Sequence, residues 1–285
     1  MSSKILQERL DGYHCQSEQE ETNALKEILQ EIALASLSRS DFFKRAAFQG
    51  GTCLRILHSL DRFSEDLDFI LNKADPGFAW DPYQKGLQEE FQAYGVEAGF
   101  QSKSEAEEPV QKMFLKDDSL VKILILKHRP KDRRPAKIRI KFEIDINPPG
   151  GSCREVKFSD FPFSFAVTTQ DLSSLFAGKC HALLCRAYMK GRDWYDYLWY
   201  VSRKVVPNYE FLSRACEQQG SWKEKTLSVD KGWLLHELEK KVSVANWEEA
   251  RNEVGRFLKP RDQKTLEVWS KEFFLDRLNK MRDYL

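Results

Sequence analysis

Strand-like runs stop near residue 165, and this change of pattern constrains the fold more than any other feature of the chain. Before it, short apolar and β-rich runs alternate with helical periodicity. After it, segments with helical spacing follow one another at about 171–189, 192–203, 208–218, 229–241, 246–258 and 263–283. Such segregation predicts an α+β fold, in which a small mixed β-sheet flanked by helices precedes an all-helical part. We therefore predict two domains, 1–165 and 166–285.

The composition is that of an ordinary globular protein. The 285 residues are 41% hydrophobic and 12% aromatic, which is enough to bury a core. Because 45 basic side chains face 44 acidic ones, net charge does not indicate a polyanionic partner. No apolar run approaches the roughly 20 residues of a spanning helix, and the amino terminus lacks the apolar stretch of a signal peptide. These features predict a cytoplasmic protein.

The cysteines and histidines show no metal-ligand spacing along the sequence. Six cysteines are present without a Cys-x-x-Cys pair, and the five histidines form no close pair. This scatter is more typical of reduced thiols than of a disulfide framework or a zinc site. The sequence thus predicts neither a zinc site nor a catalytic histidine.

Local patterns in the first half predict individual elements. Residues 22–37 have the spacing of an amphipathic helix, and Pro82 opens a second helix that Gly95 ends. Residues 67–71 are typical of a strand, and the polar segment 101–112 of a loop. The β-rich runs 120–127 and 136–147 predict a long hairpin.

A glycine turn precedes a short helix in the first domain. Gly50 and Gly51 allow close approach of the backbone, and Thr52 opens a helix whose free amide groups favour phosphate. The Thr52 hydroxyl would add one more phosphate contact. By itself, the glycine pair is equally typical of a simple tight turn.

Acidic residues alternate along two predicted strands. Asp66 and Asp68 point to one face, and Lys141, Glu143 and Asp145 share a face of the later strand. If the two strands lie side by side, Asp145 meets the Asp66 and Asp68 pair, although Glu143 is also available as the third carboxylate.

Convergent carboxylates repel one another unless a cation is present, and Mg²⁺ prefers oxygen ligands of this kind. We therefore predict a catalytic magnesium site formed by Asp66, Asp68 and Asp145, suited to in-line displacement at phosphorus. Lys141, on the same face, would neutralise the charge of substrate or product.

A second charged motif lies at the start of the helical part. Lys179 and Arg186, seven residues apart, would share a helix face and suit triphosphate oxygens. The alternatives are a solvated stripe, or a pair between Arg186 and Asp193 that joins two helices. Asp193, on one face with Asp196, would orient Lys179 or act on an acceptor hydroxyl. Its alternative role is ordinary ion pairing near a helix start.

Basic residues are concentrated in the predicted hairpin. Nine Lys or Arg residues and a single acid occur between positions 122 and 141. A hairpin tip of this composition either binds an RNA backbone electrostatically or is simply well solvated.

Two long runs, from Phe48 to Phe69 and from Ala177 to Asp196, resemble the motifs of the AbiEii/AbiGii toxin family of nucleotidyltransferases. The resemblance implies a polymerase-β-like nucleotidyltransferase core, a helical carboxy-terminal part, and Mg²⁺-dependent use of a nucleoside triphosphate. In toxin members it also implies a cognate antitoxin protein, and some relatives attach nucleotides to the acceptor end of tRNA. Threonine stands where many superfamily members have serine, which preserves the hydroxyl. The predicted nucleotide-binding residues are Gly50, Gly51, Thr52, Lys141, Lys179, Arg186 and Asp193.

The sequence therefore predicts a Mg²⁺-dependent nucleotidyltransferase that moves a nucleotide from a triphosphate to an acceptor hydroxyl and acts as a toxin. The 3′ end of tRNA is one candidate acceptor. Two alternatives stay open: a catalytically silent nucleotide-binding regulator, and a kinase-like phosphotransferase on the same scaffold. The sequence does not identify the base, the acceptor, the antitoxin or the oligomeric state.

Overall fold

The computed structural model describes residues 2–103, 109–117, 119, 124–128 and 138–285. The chain divides into two compact units. The first consists of Met1–Pro148 with Val156–Thr169, and the second of Pro149–Glu155 with Gln170–Leu285.

The first unit contains a mixed sheet and the helices that cover it. Its helices are α1 (Ser2–Asp11), α2 (Glu18–Ser38), α3 (Phe42–Arg45), α4 (Gly50–His58) and α5 (Asp81–Ala93). The strands are β1 (Ala46–Gln49), β2 (Leu67–Leu71), β3 (Gly99–Lys103), β4 (Val110–Asp117), β5 (Ile138–Asp145), β6 (Arg154–Ser159) and β7 (Phe165–Gln170). In the described part of the chain they form one sheet of order β3-β4-β5-β2-β1-β7-β6. β2 is antiparallel to β1 and parallel to β5.

Alternation along β5 separates a buried face from a charged one. Ile140, Phe142 and Ile144 are fully buried, whereas the side chains between them are half-buried. Ser17 caps the amino terminus of helix α2, and its hydroxyl accepts the amide hydrogen of Glu20. The helix buries Ile28 in the core. On β5, the second face of the sheet therefore carries the charged residues.

Two sequence expectations are wrong in this region. In the segment predicted as a loop at 101–112, residues 101–103 belong to β3 and residues 110–112 to β4, whereas 104–108 lie outside the described residues. In β4, buried Met113 and Leu115 alternate with more exposed neighbours. The partners of β5 are β4 and β2 rather than the run 120–127. Residues 124–128 are not a strand, and the amide of Ile125 donates to Gln7 Oε1 at 2.8 Å. Residues 120–123 and the basic tip 129–137 lie outside the described residues.

The second unit is helical after β7. Its helices are α6 (Leu172–Cys185), α7 (Gly191–Ser202), α8 (Tyr209–Gln218), α9 (Lys231–Val244), α10 (Trp247–Gly255), α11 (Pro260–Gln263) and α12 (Lys271–Tyr284). The predicted helix 263–283 is interrupted, because a 3₁₀ turn ends at Val268 and Ser270 caps α12. The predicted α+β fold class is confirmed. Within the described residues, no helix is both long and apolar enough to cross a bilayer.

Close packing fixes the start of α7. A methyl group at Gly191 would lie 1.9 Å from the carbonyl oxygen of Ala250, so only glycine lets α7 approach α10 this closely. Behind it, the rings of Trp247 and Phe274 stack with centroids 4.0 Å apart, and Trp194 packs on both. The first turn of α7 is therefore held rigidly against the core of this unit.

Candidate active site

The glycine turn lies directly against an acidic side chain. β1 ends at Gln49 and α4 begins at Gly50, whose φ of 79° is in the left-handed region. A methyl group at residue 50 would lie 2.4 Å from Asp68 Oδ2. Glycine is required here for both reasons, because it tolerates the backbone angle and leaves room for the carboxylate. The start of α4 and Asp68 therefore form one compact site.

The second glycine makes room for a buried arginine. A methyl group at Gly51 would lie 2.5 Å from Nη2 of Arg62, which is 2% exposed. Arg62 also donates from Nη1 to the carbonyl of Phe63 at 2.9 Å. Arg62 was not selected from the sequence, because its packing against Gly51 is what distinguishes it from other basic residues.

Thr52 connects the helix to the acidic strand. It is fully buried, and its hydroxyl donates to the main-chain carbonyl of Asp66, the residue before β2. This contact holds the start of β2 against α4. The predicted phosphate contact of Thr52 stays a prediction, and its hydroxyl already has a protein acceptor.

The strand register determines which carboxylates are neighbours. Asp68 is paired with Gln49 on one side and with Glu143 on the other. Asp145 is paired with Ile70, and its Oδ1 accepts the amide of Asn147 at 2.9 Å. In this parallel pairing the last four residues of β5, 142–145, lie beside residues 67–70 of β2.

Paired residues of adjacent strands are about 5 Å apart at the backbone and project to the same face. Asp68 and Glu143 are therefore direct neighbours, whereas Asp145 is farther along the sheet. All of these acids, including Asp66, are half-buried. Glu143 is the carboxylate that the register brings closest to the Asp68 position.

Two lysines lie close to Glu143, one on the same strand and one on β4. Lys141 Nζ is 2.6 Å from Glu143 Oε1, and Lys112 of β4 is the register partner of Glu143. Both lysines are half-buried on the same face of the sheet. Lys112 was not selected from the sequence, because its segment lacks an apolar run and was predicted as a loop. The acidic side chains of this face therefore have basic neighbours.

The second unit holds its own charged cluster, formed by Lys179, Arg186, Asp193 and Asp196. Lys179 Nζ lies 2.8 Å from Asp193 Oδ1 and 2.8 Å from Asp196 Oδ2. Arg186 Nε lies 3.4 Å from Asp193 Oδ2. The side chains of Lys179, Asp193 and Asp196 are 13%, 7% and 0% exposed. A buried arrangement of this kind needs every partner, because removing one leaves an uncompensated charge.

The expectation that Lys179 and Arg186 share a helix face is wrong. Helix α6 ends at Cys185, and Arg186 has extended backbone angles of −67° and 137°. Both cations nevertheless contact Asp193. For Arg186 this is the alternative given above, a pair with Asp193. Asp193 lies in the first turn of α7, where the helix dipole stabilises a negative charge.

The described part of the basic segment is attached to the amino-terminal helices. Lys127 Nζ lies 2.9 Å from Asp11 Oδ1, and a ring nitrogen of His128 lies 2.8 Å from the carbonyl oxygen of Cys15. The residues between 129 and 137 lie outside the described residues, so the RNA contact predicted for them stays a prediction.

A glycine turn leads β1 into α4, and carboxylates lie on β2 and β5, the next two strands in the sheet. This arrangement is typical of a nucleotidyltransferase. Residues 32–277 match the sequence profile of the family described as "Nucleotidyl transferase AbiEii toxin, Type IV TA system". The chain belongs to this family and is a nucleotidyltransferase of the type IV toxin–antitoxin class. Family membership implies a nucleotide substrate and an antitoxin partner. No curated protein matches the chain.

Solved structures share the fold at low sequence identity. JHP933 from Helicobacter pylori is 16% identical, with 94% of this chain and 91% of that chain covered and a TM-score of 0.50. MenT4, a nucleotidyltransferase toxin from Mycobacterium tuberculosis H37Rv, is also 16% identical, with 99% of each chain covered and a TM-score of 0.52. At this identity the likeness concerns the fold alone.

Proposed function

We propose that the chain transfers a nucleotide from a nucleoside triphosphate to an acceptor hydroxyl in a Mg²⁺-dependent reaction. The observation that carries the proposal is the contact between the Gly50 turn and Asp68, with Glu143 beside Asp68 on the neighbouring strand. A helix start suits the phosphates of the substrate, and adjacent carboxylates suit the metal that accompanies them.

The donor set fits magnesium. Asp66, Asp68 and Glu143 offer hard carboxylate oxygens from one half-buried face, and Asp145 is the alternative third acid. We assign the third position to Glu143, because the register places it beside Asp68. When bound, Mg²⁺ would offset the charge of the phosphates and of these carboxylates.

The residues of the first unit then have separate roles. The amides that begin α4 bind phosphate oxygens, and Gly50 lets them approach without a side chain in the way. Glu143 accepts the proton of the attacking hydroxyl, and Lys141 Nζ lies 2.6 Å from its Oε1. Positioning and charge neutralisation supply most of the rate in chemistry of this kind.

The charged cluster of the second unit carries two cations of the kind that bind phosphate. Lys179 and Arg186 both contact Asp193, which holds the two side chains in place before the nucleotide binds. Arg186 is the more exposed of the two, with 35% of its side chain accessible. We assign phosphate binding to both cations and their orientation to Asp193.

One labelling experiment separates the candidate activities. Purified protein is incubated with Mg²⁺, total RNA and each triphosphate, labelled in turn at the α- and γ-phosphate. Transfer of the α-label to RNA supports the proposal, and transfer of the γ-label indicates a kinase. Nucleotide binding without any transfer indicates a silent regulator.

The acceptor is tested in the same reactions. The family resemblance makes the acceptor end of tRNA one candidate. The labelled RNA is therefore separated by size, and the position of the label in the RNA is mapped. Periodate oxidation of the RNA destroys the 3′-terminal diol and should abolish labelling if the 3′ end is the acceptor. Labelling that survives this treatment would exclude the 3′ end while leaving nucleotidyl transfer intact.

A further inference from the structure

A group of soft metal ligands meets in the second unit, and it shares helix α6 with the charged cluster. His181 and Cys185 lie one turn apart on α6, and Cys216 lies on α8. One ligand atom from each, the imidazole nitrogen and the two sulfurs, lie within 4.8 Å of one another. The sequence did not predict this group, because Cys216 is far from the other two along the chain.

The spacing is close to that of a tetrahedral zinc site. With Zn–S bonds of about 2.3 Å and Zn–N bonds of about 2.0 Å, ligand atoms in such a site are about 3.5–4 Å apart. Closing the present spacing requires side-chain movement of about 1 Å. Imidazole and thiolate are also the ligands that zinc takes in proteins.

The surroundings orient each ligand. His181 Nε2 lies 3.3 Å from the carbonyl oxygen of Gln219, which leaves Nδ1 for a metal and resembles the outer contact that metal-bound histidines make. Gly220 has a φ of 104°, and a methyl group there would lie 2.5 Å from Cys185 Sγ. The loop after α8 therefore packs directly on this sulfur and limits its movement.

Exposure leaves a path for the ion. Cys216 is fully buried, whereas His181 and Cys185 are half-buried at the surface end of the cluster. The Cys216 thiol hydrogen-bonds to Cys185 and the His181 ring lies beside it, so the three groups are already in contact with one another. The thiolate is the form in which cysteine binds metals.

We propose that His181, Cys185 and Cys216 bind one Zn²⁺ ion, with water as the fourth ligand. The ion joins α6 to α8 and fixes the last turn of α6. Arg186 follows that turn immediately, so the ion also restrains a residue of the charged cluster. Metal binding of this kind adds to the stability of the folded state.

Zinc titration of the reduced, metal-free full chain tests the proposal. We expect one equivalent to bind and to raise the melting temperature. Cys185→Ser and His181→Asn should each weaken binding by at least about 100-fold. The matched control is Cys153→Ser, which replaces an exposed cysteine of the same unit and should bind zinc like the unaltered chain. Cys216 is left intact, because it is buried.

Cobalt substitution examines the ligands without any variant. Co²⁺ in the unaltered chain should give thiolate-to-cobalt charge transfer and the intense visible bands of a tetrahedral ion. The proposal is overturned if the unaltered chain binds no zinc equivalent or gives the cobalt spectrum of oxygen ligands. It is also overturned if the two variants and the control bind zinc equally, or if Cys185 and Cys216 form a disulfide in reducing buffer.

Discussion

Asp68 and Glu143 are register partners on the parallel strands β2 and β5, and Asp68 also touches the turn at Gly50. Three separate parts of the chain therefore meet at one carboxylate. The turn supplies amide groups, residues 66–68 at the start of β2 supply two aspartates, and β5 supplies a glutamate with its own lysine.

Asp68→Asn should reduce nucleotide transfer by at least about 100-fold, as expected when a preorganised charge is removed from an active site. The amide has nearly the same volume as the carboxylate, so the melting temperature should change little. Labelled transfer and thermal unfolding measure the two effects. Asp160→Asn, at an exposed position, is the control. Near-normal turnover in a folded Asp68→Asn protein would exclude the proposed metal site.

The third carboxylate is decided by comparing Glu143→Gln with Asp145→Asn. Because Glu143 is the partner of Asp68, its substitution should reduce transfer by at least about 100-fold. Asp145 is paired with Ile70 and bonds Asn147, so its loss should cost less than about tenfold. Steady-state rates at saturating nucleotide measure both. The opposite ranking would move the third ligand to Asp145.

Gly50→Ala should impair both the fold and the reaction. A left-handed backbone costs a residue with a Cβ about 1–2 kcal/mol, and the new methyl group would also lie 2.4 Å from Asp68 Oδ2. We expect a lower unfolding midpoint and strongly reduced transfer. Gly232→Ala is the matched control, because its nearest neighbour would be 3.4 Å away. Equal stability of the two variants would contradict the packing described for Gly50.

Lys179→Met should destabilise the second unit by about 3–5 kcal/mol, because Asp196 and Asp193 lose a buried cation. Asp196→Asn alone should also destabilise it. The loss of unfolding free energy in the double variant should be smaller than the sum of the losses in the two single variants, because neither Lys179 nor Asp196 is then left as an unpaired charge. Urea unfolding of the four proteins measures this coupling. Strictly additive losses would show that the 2.8 Å contact contributes nothing to stability.

Much of the fold was accessible from sequence because its periodicity is strong and local. The strand at 67–71 and the helix that Pro82 opens were predicted with bounds close to those observed. β3 and β4 were missed, because their polar side chains resemble a loop until the neighbouring strand β5 supplies the partner. The described part of the run 120–127, residues 124–127, shows the opposite error: it was predicted as a strand and is not one, and Ile125 is 73% exposed despite its strand propensity.

The site was predicted in part. Asp66, Asp68 and the glycine turn follow from local spacing, and their assignment stays a prediction until it is tested. The ranking of Glu143 over Asp145 required the register between β2 and β5, which one sequence does not contain. The roles of Arg62, Lys112 and Cys216 depend on contacts between distant segments, which one sequence does not contain.

The charged cluster of the second unit has a consequence for how a nucleotide would bind and leave. Lys179 and Arg186 together balance Asp193 and Asp196, so the cluster is electrically neutral as it stands. A phosphate that reaches Lys179 meets Asp193 as an internal competitor, tethered in place at a high effective concentration. Binding is then an exchange of anions rather than the capture of one. If Lys179 binds the nucleotide, the same aspartate would return to its lysine as the product leaves.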